Sequence, residues 1–390
     1  AEKFIENALG FFPLSFGTAV NFLIDNKEYV IPMAVEETSI IAAASKTAAW
    51  IRTYGEITTQ MKGNLSIGQI QFAKIKDFNS FKEKILQFKD LLIQDANAVI
   101  AKGLCARGGG VKDLEIRKII RPDQETMAVV HVLVDTCDAM GANIINQVCE
   151  FLKNPLETFT QETVTMCILS NLNDQKLACA KIHLKNIPIA LGKKIEEASI
   201  FAECDPYRAT TSNKGVLNGM DPILVATGND WRAVEAGLHA YACRDGQYRS
   251  ITKWRFQNNE LIGTIETPLM VGIVGGVTKL HPIAQIALKI LHISSSDELA
   301  RIIAAAGLVQ NLGALRALTH EGIIQGHMKL HIDNLLLTAN ATDEEIPFLK
   351  EKLQQHLQQK GHISLNHVNE LLSQLREPKN PPLSKTMPPQ

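Results

Sequence analysis

The spacing of apolar positions changes several times along the chain, and each change marks an element. EYVIPMAV, around residues 28–35, reads as a strand, and the alanine- and serine-rich run up to Trp50 reads as a buried helix. GQIQFAKIKD (68–77) alternates as a strand does. Residues 78–103 place Phe81, Ile85, Phe88, Leu91 and Leu92 on one helical face, and RGGG (107–110) breaks the pattern. VKDLEIRKII (111–120) and TMAVVHVLVDT (126–136) predict two more strands. CDAMGANIINQVCEFLKN (137–154) predicts a loop opening into a helix, with Ile144, Ile145, Val148, Phe151 and Leu152 facing inward. Residues 58–170 thus form a compact unit of strands and helices with the character of an inserted domain.

Beyond residue 205, PILVAT (222–227) reads as a short buried strand and GND as a turn. WRAVEAGLHAYACRDG reads as a helix ended by glycine, and ETPLMVGIVGG (266–276) as a strand and glycine turn. Helices are expected on to about residue 319. Two polar helical segments, EEIPFLKEKLQQHLQQK and SLNHVNELLSQLREP, come last. The tail PKNPPLSKTMPPQ has the composition of a disordered segment.

Composition narrows the class. A chain of 390 residues suggests about two or three domains. Its 45% apolar and 21% charged residues are those of an ordinary globular protein. A net charge of −1 gives no electrostatic case for nucleic acid or an anionic membrane. No apolar run is expected to reach the length that crosses a bilayer, and the N-terminus lacks the pattern of a signal peptide. Seven irregularly spaced cysteines without C-x-x-C suit reduced thiols in a cytoplasm.

Candidate chemistry sits in four places. Glu36 and Glu37 precede the small-residue helix. They can serve its N-terminus, where Thr38 or Ser39 can cap, or one can be a proton donor in a partly dry site. DAMGAN (138–143) lies between a strand and a helix, and its small residues leave the helix amides bare for a phosphate. The simpler reading is a plain helix capped by Asp138. Lys214 lies in a Gly/Asn-rich segment that is a poor helix former, with Asp230 on a later turn. A lysine beside a carboxylate can stabilise an oxyanion, although both also suit a surface. His327 and His331 lie four apart, a spacing that can bind metal, but no H-E-x-x-H is present and a structural role is the default. The G-x-G-x-x-G of doubly wound dinucleotide folds is missing.

Taken in order, these segments resemble one family, the class II (bacterial-type) 3-hydroxy-3-methylglutaryl-coenzyme A (HMG-CoA) reductases. The resemblance rests on ENALG (6–10), PMAVEETS (32–39), RGGG, DAMGAN, ILSNL (168–172), RATTSNKGVLNG (208–219), ATGNDWRAVEAGLHAYA (226–242), VGIVGG (271–276), LGALRALTHEG (312–322) and GHMKLH (326–331). It implies an α/β (α+β) fold: a large mixed domain around a long helix (1–57 and 172–321), an inserted small non-Rossmann dinucleotide-binding domain (58–171) and a C-terminal helical flap (322–390). It implies interconversion of HMG-CoA and mevalonate plus coenzyme A by two hydride transfers with NADH or NADPH. The catalytic residues carry over to Glu37, Lys214, Asp230 and His327, with Asp230 joining Lys214 and Glu37 in one network. Substrate contacts carry over to Ser39, Arg208 and Asn218. Cofactor contacts carry over to Asp138, Ala139, Met140, Gly141, Ala142, Asn143, Asn171, Gly272, Gly275 and Gly276.

The resemblance further implies a homodimer with shared active sites, no metal, no nucleic acid or membrane partner, and a longer segment ahead of ENALG. Thr38 stands where proline is common in the family. A coenzyme A-dependent acyl transferase or thioesterase would explain a thioester site but not DAMGAN. A non-catalytic scaffold would predict losses among the four catalytic positions, and none is lost.

Overall fold

The computed structural model describes residues 5–321, 332, 335–360 and 363–376. The chain forms two compact units, residues 1–319 and 320–390. Along the first run β1 (Ser15–Ile24), β2 (Lys27–Val35), α1 (Ile40–Tyr54), β3 (Gly55–Lys62), β4 (Ser66–Phe72), α2 (Phe78–Val99), α3 (Lys102–Cys105), β5 (Gly110–Ile120), β6 (Thr126–Asp135), α4 (Ala142–Thr160), β7 (Met166–Leu169), β8 (Leu177–Leu184), α5 (Ile189–Cys204), α6 (Pro206–Ala226), α7 (Trp231–Ala242), β9 (Thr252–Gln257), β10 (Glu260–Pro268), α8 (Gly276–Leu280), α9 (Pro282–Leu291) and α10 (Ser296–Arg316). The second unit holds α11 (Ile346–Lys360) and α12 (Leu365–Arg376) around a small core that includes Leu349, Leu353, Val368 and Leu372. The expected disordered tail lies outside the described residues.

A six-stranded sheet has the order β2-β1-β3-β8-β10-β9. Two of its hairpins turn on residue pairs suited to them. Asp25-Asn26 and Asn258-Asn259 all have positive φ, and each pair joins strands across a two-residue loop. The second sheet is antiparallel, in the order β5-β6-β4-β7, with α2 and α4 packed on it. Each sheet has its own apolar core. The inserted unit was expected to start at residue 58, a position inside β3; β3 belongs to the first sheet, and the second sheet begins at β4.

Helix α10 is the spine of the first unit. It has the length and apolarity to cross a membrane, contrary to the expectation that no run does. Here it is a core helix, packed against α6, α1, β8, β3 and β10. Small residues let α6 come close. A Cβ on Gly219 would lie 2.7 Å from the Ala306 carbonyl, and one on Gly307 2.6 Å from Met220. The core is anchored at its far side by Trp254, fully buried, whose indole donates to Asn311 of α10 at 2.7 Å.

This packing overturns one expectation. The 206–226 segment, read as a poor helix ending in a strand, is the single helix α6. Asp205 caps it by accepting from the Arg208 amide, and Pro206 occupies the first turn, where its missing N–H costs nothing. Burial against α10 outweighs the low propensity of Gly215, Gly219 and Pro222.

Candidate active site

Helix α6 sets the chemistry. Lys214 and Asn218, four residues apart, share one of its faces. Lys214 Nζ donates to Glu37 Oε2 at 3.0 Å, and Asn218 Nδ2 donates to the same oxygen at 3.5 Å. Glu37 lies in the turn between β2 and α1. The lysine and glutamate side chains are 63% and 40% exposed, so their attraction adds at most about 1 kcal/mol to stability. An ion pair worth so little to the fold is of interest for its chemistry.

Ser39 follows two residues later, at the N-cap of α1, with φ 77°. Its hydroxyl caps nothing and is buried without a hydrogen-bond partner. A left-handed serine with an orphaned hydroxyl is the kind of strain that functional sites retain. Arg208, in the first turn of α6, has no ion-pair partner for its guanidinium among the described residues, and burial lowers its pKa.

Asp230 is placed differently from the expectation. It caps α7, accepting from the Ala233 amide at 3.1 Å, and lies 3.9 Å from Arg232. Among the described residues it makes no hydrogen bond with Lys214 or Glu37. A further carboxyl on α6, Asp221, lies within the electrostatic reach of Lys214, and the sequence reading passed over it. His327 and His331 lie outside the described residues. Among the described residues no three His, Cys, Asp or Glu side chains converge as a metal set.

The DAMGAN loop is the second candidate region. Gly141, with φ 101°, is the N-cap of α4 and provides no side-chain cap, so the amides of the first turn are open. Asp138 does not cap α4. Its Oδ1 accepts from the Ser296 amide at the start of α10 at 2.8 Å. The loop rests on the VGIVGG turn. Ile273 N donates to the Asp138 carbonyl at 2.9 Å, and Ala139 bridges to Val274. Gly272 has no room for a side chain there, since a Cβ would lie 2.4 Å from the Met140 nitrogen. Its own amide donates to Asn229 Oδ1 at 2.8 Å, beside Asp230. Gly275 and Gly276 have positive φ and open space around them. Asn171 is exposed in the loop after β7, and a Cβ on Gly237 of α7 would lie 2.5 Å from its carbonyl oxygen.

A groove of about 550 Å³ lies elsewhere, on the first sheet, lined by Lys62, Lys181, Arg244, Lys253 and Glu266 among others. It shares no residue with the Lys214–Glu37 pair or the DAMGAN loop.

Known proteins resemble this chain throughout. The hydroxymethylglutaryl-coenzyme A reductase family model matches residues 1–332. The 3-hydroxy-3-methylglutaryl-coenzyme A reductase of Archaeoglobus fulgidus is 44% identical over 96% of this chain and 86% of its own length. A probable enzyme of the same name from Borreliella burgdorferi is 32% identical over 95% of this chain and 86% of its own. A solved structure of the reductase from Streptococcus pneumoniae superposes with a TM-score of 0.80 at 37% identity, over 96% of this chain and 90% of that one. Another, of the class II enzyme from that organism bound to NADPH in open conformations, gives 0.79 at 38%, over 81% and 88%. The family match contains every candidate site residue named above, and the chain belongs to the hydroxymethylglutaryl-coenzyme A reductase family.

Proposed function

We propose that Lys214, Glu37 and Asn218 form the reduction centre through which this chain interconverts HMG-CoA with mevalonate and coenzyme A. The observation that carries the assignment is the 3.0 Å pairing of a lysine and a glutamate that contributes almost nothing to the fold. NADH or NADPH supplies a hydride to the substrate carbonyl carbon when bound. Negative charge then gathers on the carbonyl oxygen. The Lys214 ammonium, fixed on α6, stabilises that charge, and the Glu37 carboxyl in contact with it delivers a proton to the same oxygen. Ser39, whose hydroxyl is unpartnered among the described residues, and Arg208, whose guanidinium forms no ion pair among them, receive the substrate carboxylate. His327 takes the role of protonating the coenzyme A sulfur as it leaves.

The residues around Gly141 fit a dinucleotide. The uncapped first turn of α4 offers amides to a phosphate, and Gly141 leaves the approach bare. Residues 138–143 are therefore assigned to the cofactor, with Asn171, Gly275 and Gly276 at its edge. The role of Gly272 is to seat that loop. Asp230 acts by fixing the turn that carries Asn229, rather than by touching Lys214.

The site is assigned to a homodimer. Leu9, Phe11 and Phe12 are exposed in close succession in the single chain, which suits an interface better than solvent. The considerable exposure of Glu37 agrees, because a partner surface would supply the dryness that a proton donor needs. We place the protein in the cytoplasm, where its seven free thiols stay reduced; cell fractionation tests that location.

The experiment for the whole assignment is Lys214→Ala. Loss of about 10²–10³ in kcat with both HMG-CoA and mevaldehyde is expected, with the urea midpoint nearly unchanged. Near-normal turnover in the folded variant would remove Lys214 from the mechanism.

A further inference from the structure

Asp221 is a half-buried carboxyl that the reaction as described does not use. It lies on α6, seven residues after Lys214 and three after Asn218, so all three share one helical face. Its Oδ1 is sealed from solvent and has no hydrogen-bond partner. Across the α6–α7 contact the carboxyl hydrogen-bonds to Glu235. Two carboxyl groups in hydrogen-bond contact need a proton between them, because neither ion has one to donate.

The surroundings agree with that requirement. Burial is the largest influence on Asp221 and raises its pKa; the charge of Glu235 and its hydrogen bond raise it further, as does Glu36, while Lys214 pulls it down. The result is a carboxyl pushed up to about 8, with the proton belonging to the pair. Glu235 from α7, Glu36 from the turn before α1 and Lys214 from α6 itself are the charged groups acting on it. Glu36 is thus more than a helix-terminal acid, since its charge bears on the same wall.

We propose that Asp221 is a positioning residue of the reduction site: it shares one proton with Glu235, and so keeps the wall behind Lys214 one negative charge short. With the proton in place, the ammonium of Lys214 is drawn toward Glu37 and the substrate oxygen. When the proton leaves, a new negative charge appears two helical turns from Lys214, roughly 10 Å along the axis. That charge competes for the ammonium and opposes the charge forming on the substrate oxygen. A unit charge at such a distance slows an oxyanion-forming step roughly tenfold. The proposal rests on the assignment of Lys214 and Glu37 as the reduction centre.

The test is the pH profile of kcat for HMG-CoA reduction in the full-length enzyme and two variants. The wild type should lose roughly tenfold in kcat on the alkaline side. Asp221→Asn keeps a neutral group at all pH values and should move that fall upward by a pH unit or more. Glu235→Gln replaces a repelling carboxylate with an amide donor that favours ionised Asp221, and should move the fall downward. Opposite shifts are not produced by a residue that merely supports the fold. Superimposable profiles, or shifts in one direction for both variants, overturn the proposal.

A second measurement needs neither turnover nor a folded variant. Infrared difference spectra of the wild type, with the aspartates and then the glutamates isotopically labelled, should show a protonated carboxylic acid at pH 7 that disappears on alkaline titration. Its absence at pH 7 overturns the proposal. If Lys214→Ala stays active, the reduction-centre assignment fails while the infrared result still decides the proton-sharing pair.

Discussion

Gly272→Ala separates the seating of the cofactor loop from the rest of the molecule. The new methyl group would stand 2.4 Å from the Met140 nitrogen, 3.0 Å from the Ala139 carbonyl carbon and 3.1 Å from the Asp138 oxygen. All three are backbone atoms, so no rotamer change relieves the clash. Ordinary contact begins at 3.4 Å, and the loop must retreat by about 1 Å. Two attachments are strained by such a shift, the 2.9 Å bond from Ile273 to Asp138 and the bridge of Ala139 to Val274. Overpacking of this kind costs about 1–3 kcal/mol of stability. A displacement of ~1 Å in a positioning element can cost as much as ~10² in rate. The assay varies NADH or NADPH at saturating HMG-CoA, then the reverse, with a urea midpoint for each protein. We expect kcat/KM for the cofactor to fall by roughly ten- to hundredfold while KM for HMG-CoA changes little. Gly246→Ala, in the turn after α7, is the control: it strains a φ of 85° but meets no atom within 4 Å. A stability loss in Gly272→Ala without a cofactor-specific defect would refute the assignment of residues 138–143 to the dinucleotide.

Glu298 gives a pH-dependent test of the fold. Burial pushes its carboxyl up, but Lys27, the Ser294 amide and the Tyr29 hydroxyl outweigh it and bring the pKa to about 2. A depressed carboxylate stabilises the fold above its ordinary range near 4.5, and that contribution disappears as pH falls toward about 2. Glu298→Gln should therefore cost on the order of 2–3 kcal/mol at pH 7 by urea unfolding, and steadily less below pH 4.5. An equal deficit at pH 7 and pH 3.5 would count against the linkage. Sedimentation equilibrium at micromolar concentration should give twice the chain mass, and a single-chain mass would refute the shared site.

What could be read in the sequence followed from local rules. Helices α2 and α4 and strands β5 and β6 carry clean apolar periods and lie close to where those periods put them, whereas the strand read over 68–77 ends at Phe72 as β4. Strand β1 escaped notice because a register shift between Ala19 and Phe22 breaks its alternation. Helix α6 was misread for a different reason. Its two interior glycines and Pro222 lower helix propensity, while one of them, Gly219, also allows the close approach to α10 that buries the segment as a helix. That error hid Asp221. Positions 214, 218 and 221 share a face only once the segment is helical, so the second carboxyl near Lys214 stayed out of sight. Asp138 shows a limit of another kind. It was read as a cap for the helix next in sequence, yet it accepts from the first amide of α10, that of Ser296, 158 residues away, in a helix whose own cap is Ser295, and no local pattern marks such a partner.

Those two long-range contacts meet on one element. The middle of α10 receives α6 through Gly219 and Gly307, and α6 carries Lys214 and Asn218. The N-terminus of α10 is held by Asp138, the first residue of the loop assigned to the cofactor. The lysine helix and the cofactor loop are thus both indexed to the same buried helix, about 30 Å long. Hydride transfer needs donor and acceptor fixed to within a fraction of an ångström, and two loops attached to separate elements would not provide that. A fully packed helix does, because it moves as a unit. This accounts for an apolar helix with the composition of a membrane span at the centre of this fold: its small, close-packed side chains bring the lysine helix close, and its end aligns the loop proposed to hold the cofactor.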